Sequence, residues 1–418
     1  MALLTRRAFV QRSAAASVLA ATAGWPSGAQ AAAGLRKCVA MDSLNHGGDV
    51  EDLRVNGNLE KLLALGTRWV RIWVRWDKAQ LYPPAFVPMT ALDGPLNDAV
   101  VCGSGCGFGY IQSIDEQIAL ARAVGLNVIL TTWFFPRWAN DTADKPADWA
   151  REDRGSATTP LDRLKPLEWR IPAGQLGTTG HYGRWLAWLM DRYESYGRGL
   201  MLEIVNEPNG QLWPQQGPSS TADPYGPGES IVGAHIAEMI ATAHALSAER
   251  GHRIQLAAPA LSDRARPGDR LFTPLETAVP ETLAALAGLG FPPAPSFVWT
   301  HHNYWDIEHD LPAPTRAGLV RELLRGGWRG RGGPDDPRVW LTEGGARLGS
   351  GEVSDLQRQA ELVAASWTRM SAAEGIDLFS NYLMYADPVA NSGLCDDIVT
   401  GGVPRPVWGV FQGFPSFA

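Results

Sequence analysis

The sequence predicts an α/β fold, a parallel barrel with long βα loops, and three observations carry that prediction. Short apolar runs alternate with amphipathic helical stretches from Cys38 onward. Two of those runs end in a glutamate followed by a strand-stopping residue: Leu200–Val205 leads into Asn206-Glu207-Pro208, and Val339–Thr342 into Glu343-Gly344-Gly345. Proline cannot donate to a ladder, so the first of these strands must stop there. An acid at the carboxyl end of a buried parallel strand lies where such barrels place their chemistry. Finally, segments 77–110 and 140–180 are long and rich in Pro and Gly, as expected of loops that wall the mouth of a barrel.

Residues 1–31 stand apart. Thr5-Arg6-Arg7-Ala8-Phe9-Val10 has the twin-arginine export pattern, followed by the Ala-rich stretch Ala14–Gly24 and a small-x-small cleavage site, Ala29-Gln30-Ala31. The expected mature protein is residues 32–418, one catalytic barrel, secreted or periplasmic. Losing Arg6, Arg7 and Arg12 takes the formal net charge from −7 to about −10. An acidic chain without basic blocks argues against nucleic acid and anionic membranes as partners. No other apolar run is long enough to span a bilayer, and a soluble monomer is expected. Seventeen Trp offer flat apolar faces suited to sugar rings, although Trp185 and Trp188, three apart on a helix, are expected to pack inward.

The elements follow in order. Strand one is Cys38–Met41, and a helix spans Asn58–Leu65. Gly66–Trp76 is the second strand region; a period of two puts Trp69, Arg71, Trp73 and Arg75 on one face. An arginine among barrel-facing positions must be paired, because an unpaired buried charge is costly. Ser113–Val124 is helical, with Ser113 as N-cap and Glu116 completing a capping box. Strand three is Asn127–Thr132, ending at Trp133. Helix Tyr182–Tyr193, strand four, helix Ser230–Glu249, strand five over Arg253–Ala258 and helix Glu281–Leu289 come next. Strand six, Ser296–Thr300, runs into His301-His302-Asn303-Tyr304-Trp305. Helix Thr315–Leu324, strand seven ending at Glu343, helix Asp355–Met370 and strand eight, Asp377–Tyr385, complete the series.

These motifs together resemble the retaining glycoside hydrolases of clan A, with family 5 (cellulase-like) and family 39 as the members to compare first. Asn206-Glu207-Pro208 resembles the end of their strand four, Thr342-Glu343-Gly344 the end of strand seven, and His302-x-Tyr304 the strand-six signature. Gly66-Thr67-Arg68-Trp69-Val70-Arg71-Ile72-Trp73-Val74-Arg75-Trp76 is similar to the second-strand pattern of family 5. The resemblance spans nearly the whole mature chain and implies a (β/α)8 TIM barrel that cleaves β-glycosidic bonds in an oligo- or polysaccharide by double displacement. It implies Glu207 as acid/base and Glu343 as nucleophile, with Arg71, Asn206, His302, Tyr304, Trp133 and Tyr382 binding substrate or shaping the site. Arg71 and Tyr304 are expected to keep Glu343 ionised. Glu207 is expected to have a higher pKa through the charge of Glu343 and apolar neighbours. At the end of strand eight the chain offers Tyr382 and Tyr385 where relatives often place a Trp.

No cofactor or metal is expected. His301, His302, Glu308 and His309 are potential ligands, but adjacent strand histidines face opposite ways and no His-Glu-x-x-His occurs. The rival readings are a non-catalytic glycan-binding barrel and a metal-dependent hydrolase on the same fold. Of four cysteines, Cys102 and Cys106 flank a Gly-Ser-Gly turn and are the best disulfide pair for an oxidising destination. Cys38–Cys395 is what remains, and free buried thiols are the alternative.

Overall fold

The computed structural model describes residues 34–41, 52–80, 110–133, 135–139, 175–210, 230–264, 273–291, 298–310, 315–329, 336–372, 375–387 and 391–417. The leader 1–31, the Cys102/Cys106 pair and most of the two long loops lie outside them.

The described strands are β1 (Arg36–Met41), β2 (Trp69–Arg75), β3 (Asn127–Trp133), β4 (Leu200–Glu203), β5 (Gln255–Ala257), β6 (Leu261–Ser262), β7 (Trp299–His302), β8 (Val339–Glu343) and β9 (Ile376–Tyr382). The helices are α1 (Asn58–Ala64), α2 (Trp76–Ala79), α3 (Tyr110–Ala123), α4 (His181–Tyr193), α5 (Val232–Arg250), α6 (Leu275–Gly288), α7 (Tyr304–Glu308), α8 (Arg316–Trp328), α9 (Leu356–Ala372) and α10 (Pro406–Gly413). All strand pairs are parallel, in the order β5-β4-β3-β2-β1-β9-β8-β7-β6. Bridges from Asn206 to Ala260 and from Ala257 to Val298 join the two ends of that order. The fold is a (β/α)8-type TIM barrel.

The expected fifth strand, Arg253–Ala258, is shortened to Gln255–Ala257 and followed by an unexpected short strand. Pro259 has no N–H for the ladder, so β5 stops and the chain re-enters the sheet as β6. The sixth to eighth expected strands are therefore β7, β8 and β9. His301 and His302 lie inside β7 rather than after it. The capping box at Ser113 does not form: α3 starts at Tyr110, and the Ser113 hydroxyl instead accepts from Arg54 Nη2 (2.7 Å) and donates to Asp52 (3.2 Å). Helix α6 begins six residues before the expected Glu281, and Pro280 is accommodated within it. Residues 76–79 form a helical turn where loop was expected.

The period of two in β2 sorts the core. Val70, Ile72 and Val74 pack outward against the helices. Trp69 packs inward with Cys38, Ile129, Met201, Ala257, Trp340 and Leu378, closing the barrel's lower interior. Its ring meets Trp340 edge-on at 4.8 Å, a contact worth about 0.5–1.5 kcal/mol beyond its buried area. Trp185 and Trp188 do pack inward: Trp185 stacks between Trp76 and Trp188, at 5.6 and 5.4 Å. Cys38 and Cys395 are buried free thiols, not a disulfide. One belongs to the barrel interior and the other to the outer packing layer.

At the amino end of β1, Lys37 Nζ donates to the carbonyls of Leu65 (2.5 Å), Phe414 (2.9 Å), Gln412 (3.3 Å) and Phe411 (3.4 Å). The carbonyl ends of α1 and α10 thus converge on one ammonium, which favours a cation. Burial acts against that charge and pulls the lysine pKa down to about 8.

No described helix is long and apolar enough to cross a membrane.

Candidate active site

Arg71 is the electrostatic centre of the barrel's upper interior. It is wholly buried on β2. Its Nη2 donates to Glu203 (2.6 Å) and Asn206 (2.8 Å), its Nε to Glu203 (2.9 Å) and Thr131 (2.9 Å), and its Nη1 to Glu343 (2.5 Å). Thr131 and Thr342 hydroxyls also donate to Glu203, at 2.7 and 2.8 Å. Burial alone would push the Glu203 pKa up, but the charges of Arg71 and His302 and the hydroxyl bonds of Thr131 and Thr300 outweigh it and hold it below the usual value. The sequence reading missed Glu203. Its signal was an acid inside an otherwise apolar strand.

Glu343 closes β8 and accepts a second hydrogen bond from the Tyr304 hydroxyl, 2.7 Å. The flanking glycine has a steric reason: a Cβ on Gly344 would stand 2.1 Å from Asn303 Oδ1. Glu207 is placed by unusual backbone. Its φ is +42°, a left-handed conformation that L-residues adopt at some cost. Its N–H bonds the Ala260 carbonyl (2.9 Å) and its carbonyl accepts from Gly210 (2.8 Å). Asn209, also unanticipated, fixes this turn to β6. Its Nδ2 donates to the carbonyls of Ser262 and Thr273, both 3.0 Å, and its Oδ1 accepts from Ser262 N–H at 2.8 Å.

His302 links the two acids. Its Nδ1 lies 2.9 Å from Glu207 Oε1, and its Nε2 lies 3.5 Å from Glu343 Oε2. Glu207 differs from expectation. Burial favours its neutral form, yet the His302 hydrogen bond and charge, with the charge of Arg264, pull its pKa down to about 2. Its side chain keeps 28% of its surface open, so the carboxyl faces the mouth of the barrel. The expectation of a raised value weighed apolar neighbours and omitted this histidine contact.

Aromatic side chains line the same region. Trp133 and Trp73 lie 4.8 Å apart, Tyr382 meets Tyr304 edge-on at 6.1 Å, and the Arg71 guanidinium lies 4.0 Å from the Trp73 ring centroid. The structure therefore gathers every residue expected at the site. Tyr385, the other aromatic offered by the eighth strand, lies elsewhere: its hydroxyl bonds Asn58 (2.8 Å) and Lys61. Two unanticipated guanidiniums flank Tyr304, with Arg347 4.9 Å and Arg264 5.5 Å from its ring centroid.

The histidines and acid considered as metal ligands do not converge. His302 faces the glutamates, Glu308 binds Arg347, and His309 stacks on Trp305. Among the described residues, the donor atoms of Asp263, His301 and Asp306 do lie within 4.8 Å of one another. Both carboxylates are engaged there. Asp263 accepts the Trp305 amide at 2.6 Å, and Asp306 accepts the first amides of α8, Arg316 at 2.8 Å and Ala317 at 3.2 Å. Burial raises the pKa of both aspartates and lowers that of His301 to about 3. The Asp263 Oδ1 and both His301 nitrogens are buried without a hydrogen-bond partner among the described residues.

No family model matches the chain, and no curated protein is similar to it in sequence. Solved structures do resemble it. A GH5_18 protein from Bifidobacterium longum subsp. infantis matches with TM-score 0.53 and 15% identity, over 92% of this chain and 81% of that one. A GH5-4 broad-specificity endoglucanase from Clostridium cellulovorans matches with TM-score 0.51 and 12% identity, over 90% and 92%. A GH5_18 protein from Streptomyces cattleya, solved with GlcNAc, matches with TM-score 0.50 and 17% identity, over 93% and 83%. At these identities the likeness is one of fold alone: a (β/α)8 barrel.

Proposed function

We propose that this chain is a retaining glycoside hydrolase that cleaves β-glycosidic bonds of an oligo- or polysaccharide by double displacement. The observation that carries the reading is the unequal pair of glutamates on opposite sides of His302, Glu207 hydrogen-bonded at Nδ1 and Glu343 3.5 Å from Nε2. Glu343 takes donors from Arg71 and Tyr304, an environment that presents its carboxylate as an anion-like nucleophile. Glu207 is the open one, hydrogen-bonded to His302, and its pKa of about 2 must rise when substrate covers it for it to act as the acid. In the first step Glu343 attacks the anomeric carbon while Glu207 gives its proton to the departing oxygen. In the second, Glu207 takes a proton from water as that water displaces Glu343. Asn206, fixed by Arg71, would bond the sugar 2-hydroxyl, and Trp133, Tyr304 and Tyr382 would contact the ring. No metal or cofactor takes part in these steps. The β preference comes from the resemblance to clan A, and the names of the structural neighbours support a carbohydrate substrate.

The reading extends to export through the twin-arginine leader and to a monomeric secreted or periplasmic enzyme. The test is a panel of aryl β-glycosides and polysaccharides, with the first-formed anomer followed by NMR. A β product is expected. An α product, or no cleavage across the panel, rules the reading out.

A further inference from the structure

The mouth of the site carries a cation that forms no close ion pair among the described residues, although its charge is felt at Glu207 and Glu308. Arg71 is bound to Glu203 and Glu343, and Arg347 is bound to Glu308. Arg264 follows β6 and is only partly buried, with its guanidinium 5.5 Å from the Tyr304 ring centroid. Among the described residues it makes no hydrogen bond and no ion pair. Its backbone is nevertheless held in place. The preceding residue, Asp263, accepts the Trp305 amide at 2.6 Å, and Ser262 is bonded by Asn209.

We propose that Arg264 receives a carboxylate or sulfate ester on the sugar lying across Glu207 and Glu343, so that the substrate is an anionic glycan. The proposal rests on the glycosidase reading and narrows it. Tyr304 touches Glu343 through its hydroxyl, so a charge against the Tyr304 ring is beside the sugar under attack. A neutral sugar would replace the water on the guanidinium only with uncharged hydroxyl acceptors, which are weaker partners for it than an anion. An anionic sugar replaces that water with a planar, two-pronged contact that the guanidinium fork is shaped to make. The chain as a whole carries −7, so its general field repels an acidic polymer and recognition must be local. The same contact acts on the acid. Arg264 is one of the charges that weaken proton binding at Glu207, and an anion on it offsets that effect while substrate is bound.

The experiment compares kcat/KM for matched 4-nitrophenyl β-D-glycosides: glucoside against glucuronide, galactoside against galacturonide, and glucoside against its 6-sulfate. For at least one pair the anionic member should be preferred by about tenfold or more. Arg264→Gln should lower that anionic-to-neutral ratio by about tenfold, and Arg264→Lys should keep part of it. The ratio is taken within one preparation, so partial misfolding cancels. The uronide and sulfate arms separate the two kinds of anion. Preference for the neutral member in every pair, or an unchanged ratio in Arg264→Gln, overturns the assignment of Arg264 while leaving the glycosidase reading intact. Absence of cleavage for all members and for the polysaccharide panel overturns both.

Discussion

The Nδ1 of His302 lies 2.9 Å from Oε1 of Glu207, and that contact governs where the site keeps its proton. With Glu207 ionised, Nδ1–H donates to the carboxylate. With Glu207 protonated, the direction reverses.

His302→Gln should raise the Glu207 pKa from about 2 toward the ordinary carboxylate range, because the largest lowering influence is removed. A carbon-13 NMR titration of the glutamate carboxyls measures this. The sign for stability follows. A depressed folded-state value contributes stability above the unfolded pKa of about 4.5, and that stability is lost as pH falls toward about 2. The thermal midpoint of the wild type should therefore drop more steeply than that of His302→Gln across this window. Equal slopes and an unmoved titration would show that the contact is incidental.

The two glutamates should fail differently when removed. Glu343→Gly cannot form a glycosyl-enzyme, so turnover should fall by roughly 10³-fold or more for good and poor leaving groups alike. Azide entering the vacated face should give the inverted α-glycosyl azide. Glu207→Ala should still release dinitrophenol, which needs no proton, and should then accumulate the intermediate. Azide should discharge it with retention as the β-glycosyl azide. NMR of the azide products decides, and wild-type turnover in both variants would refute the assignment.

Arg71 bonds two carboxylates, an amide and a hydroxyl at once. Arg71→Lys keeps the charge but loses the fork, so kcat should fall by about 10²–10³. Arg71→Met leaves Glu203 buried without its cation and should cost about 3–5 kcal/mol of stability. Denaturant melts alongside kinetics separate these losses. Full turnover in Arg71→Lys would remove Arg71 from the chemistry.

Export through the twin-arginine route should leave a mature N-terminus near Ala32, and changing Arg6 and Arg7 to Lys should retain the protein in the cytoplasm. Edman sequencing of the exported protein tests the first point. An intact Met1 on secreted material would refute it.

Gly344 made Glu343 readable because it follows the acid that ends β8, a purely local signal; Pro208 marked Glu207 in the same way, although β4 itself already stops at Glu203. The alternation in β2 likewise placed Trp69, Arg71 and Trp73 inside the barrel. Glu203 escaped because its meaning lies in Arg71, 132 residues away. Ser113 misled because its hydroxyl had a stronger offer from Arg54 and Asp52 across the fold than from its own helix. Of the two tyrosines, Tyr382 was the one expected at the site and it is the one beside Tyr304, at the end of β9, whereas Tyr385 turns to Asn58. The shift at Glu207 was hidden because the histidine that causes it arrives from another strand.

The four carbonyls around Lys37 have a kinetic meaning as well as a static one. They connect β1 to residues as much as 377 positions later, and β1 also pairs directly with β9. Contacts that join such distant parts of a polymer form late, because the entropy of closing the chain is lost before they repay it. Until β9 docks on β1, the facing edges of these two strands are unpaired templates for other strands. The vulnerable period of this molecule is thus the interval before its two ends meet, and the carbonyl cradle of Lys37 marks the end of it.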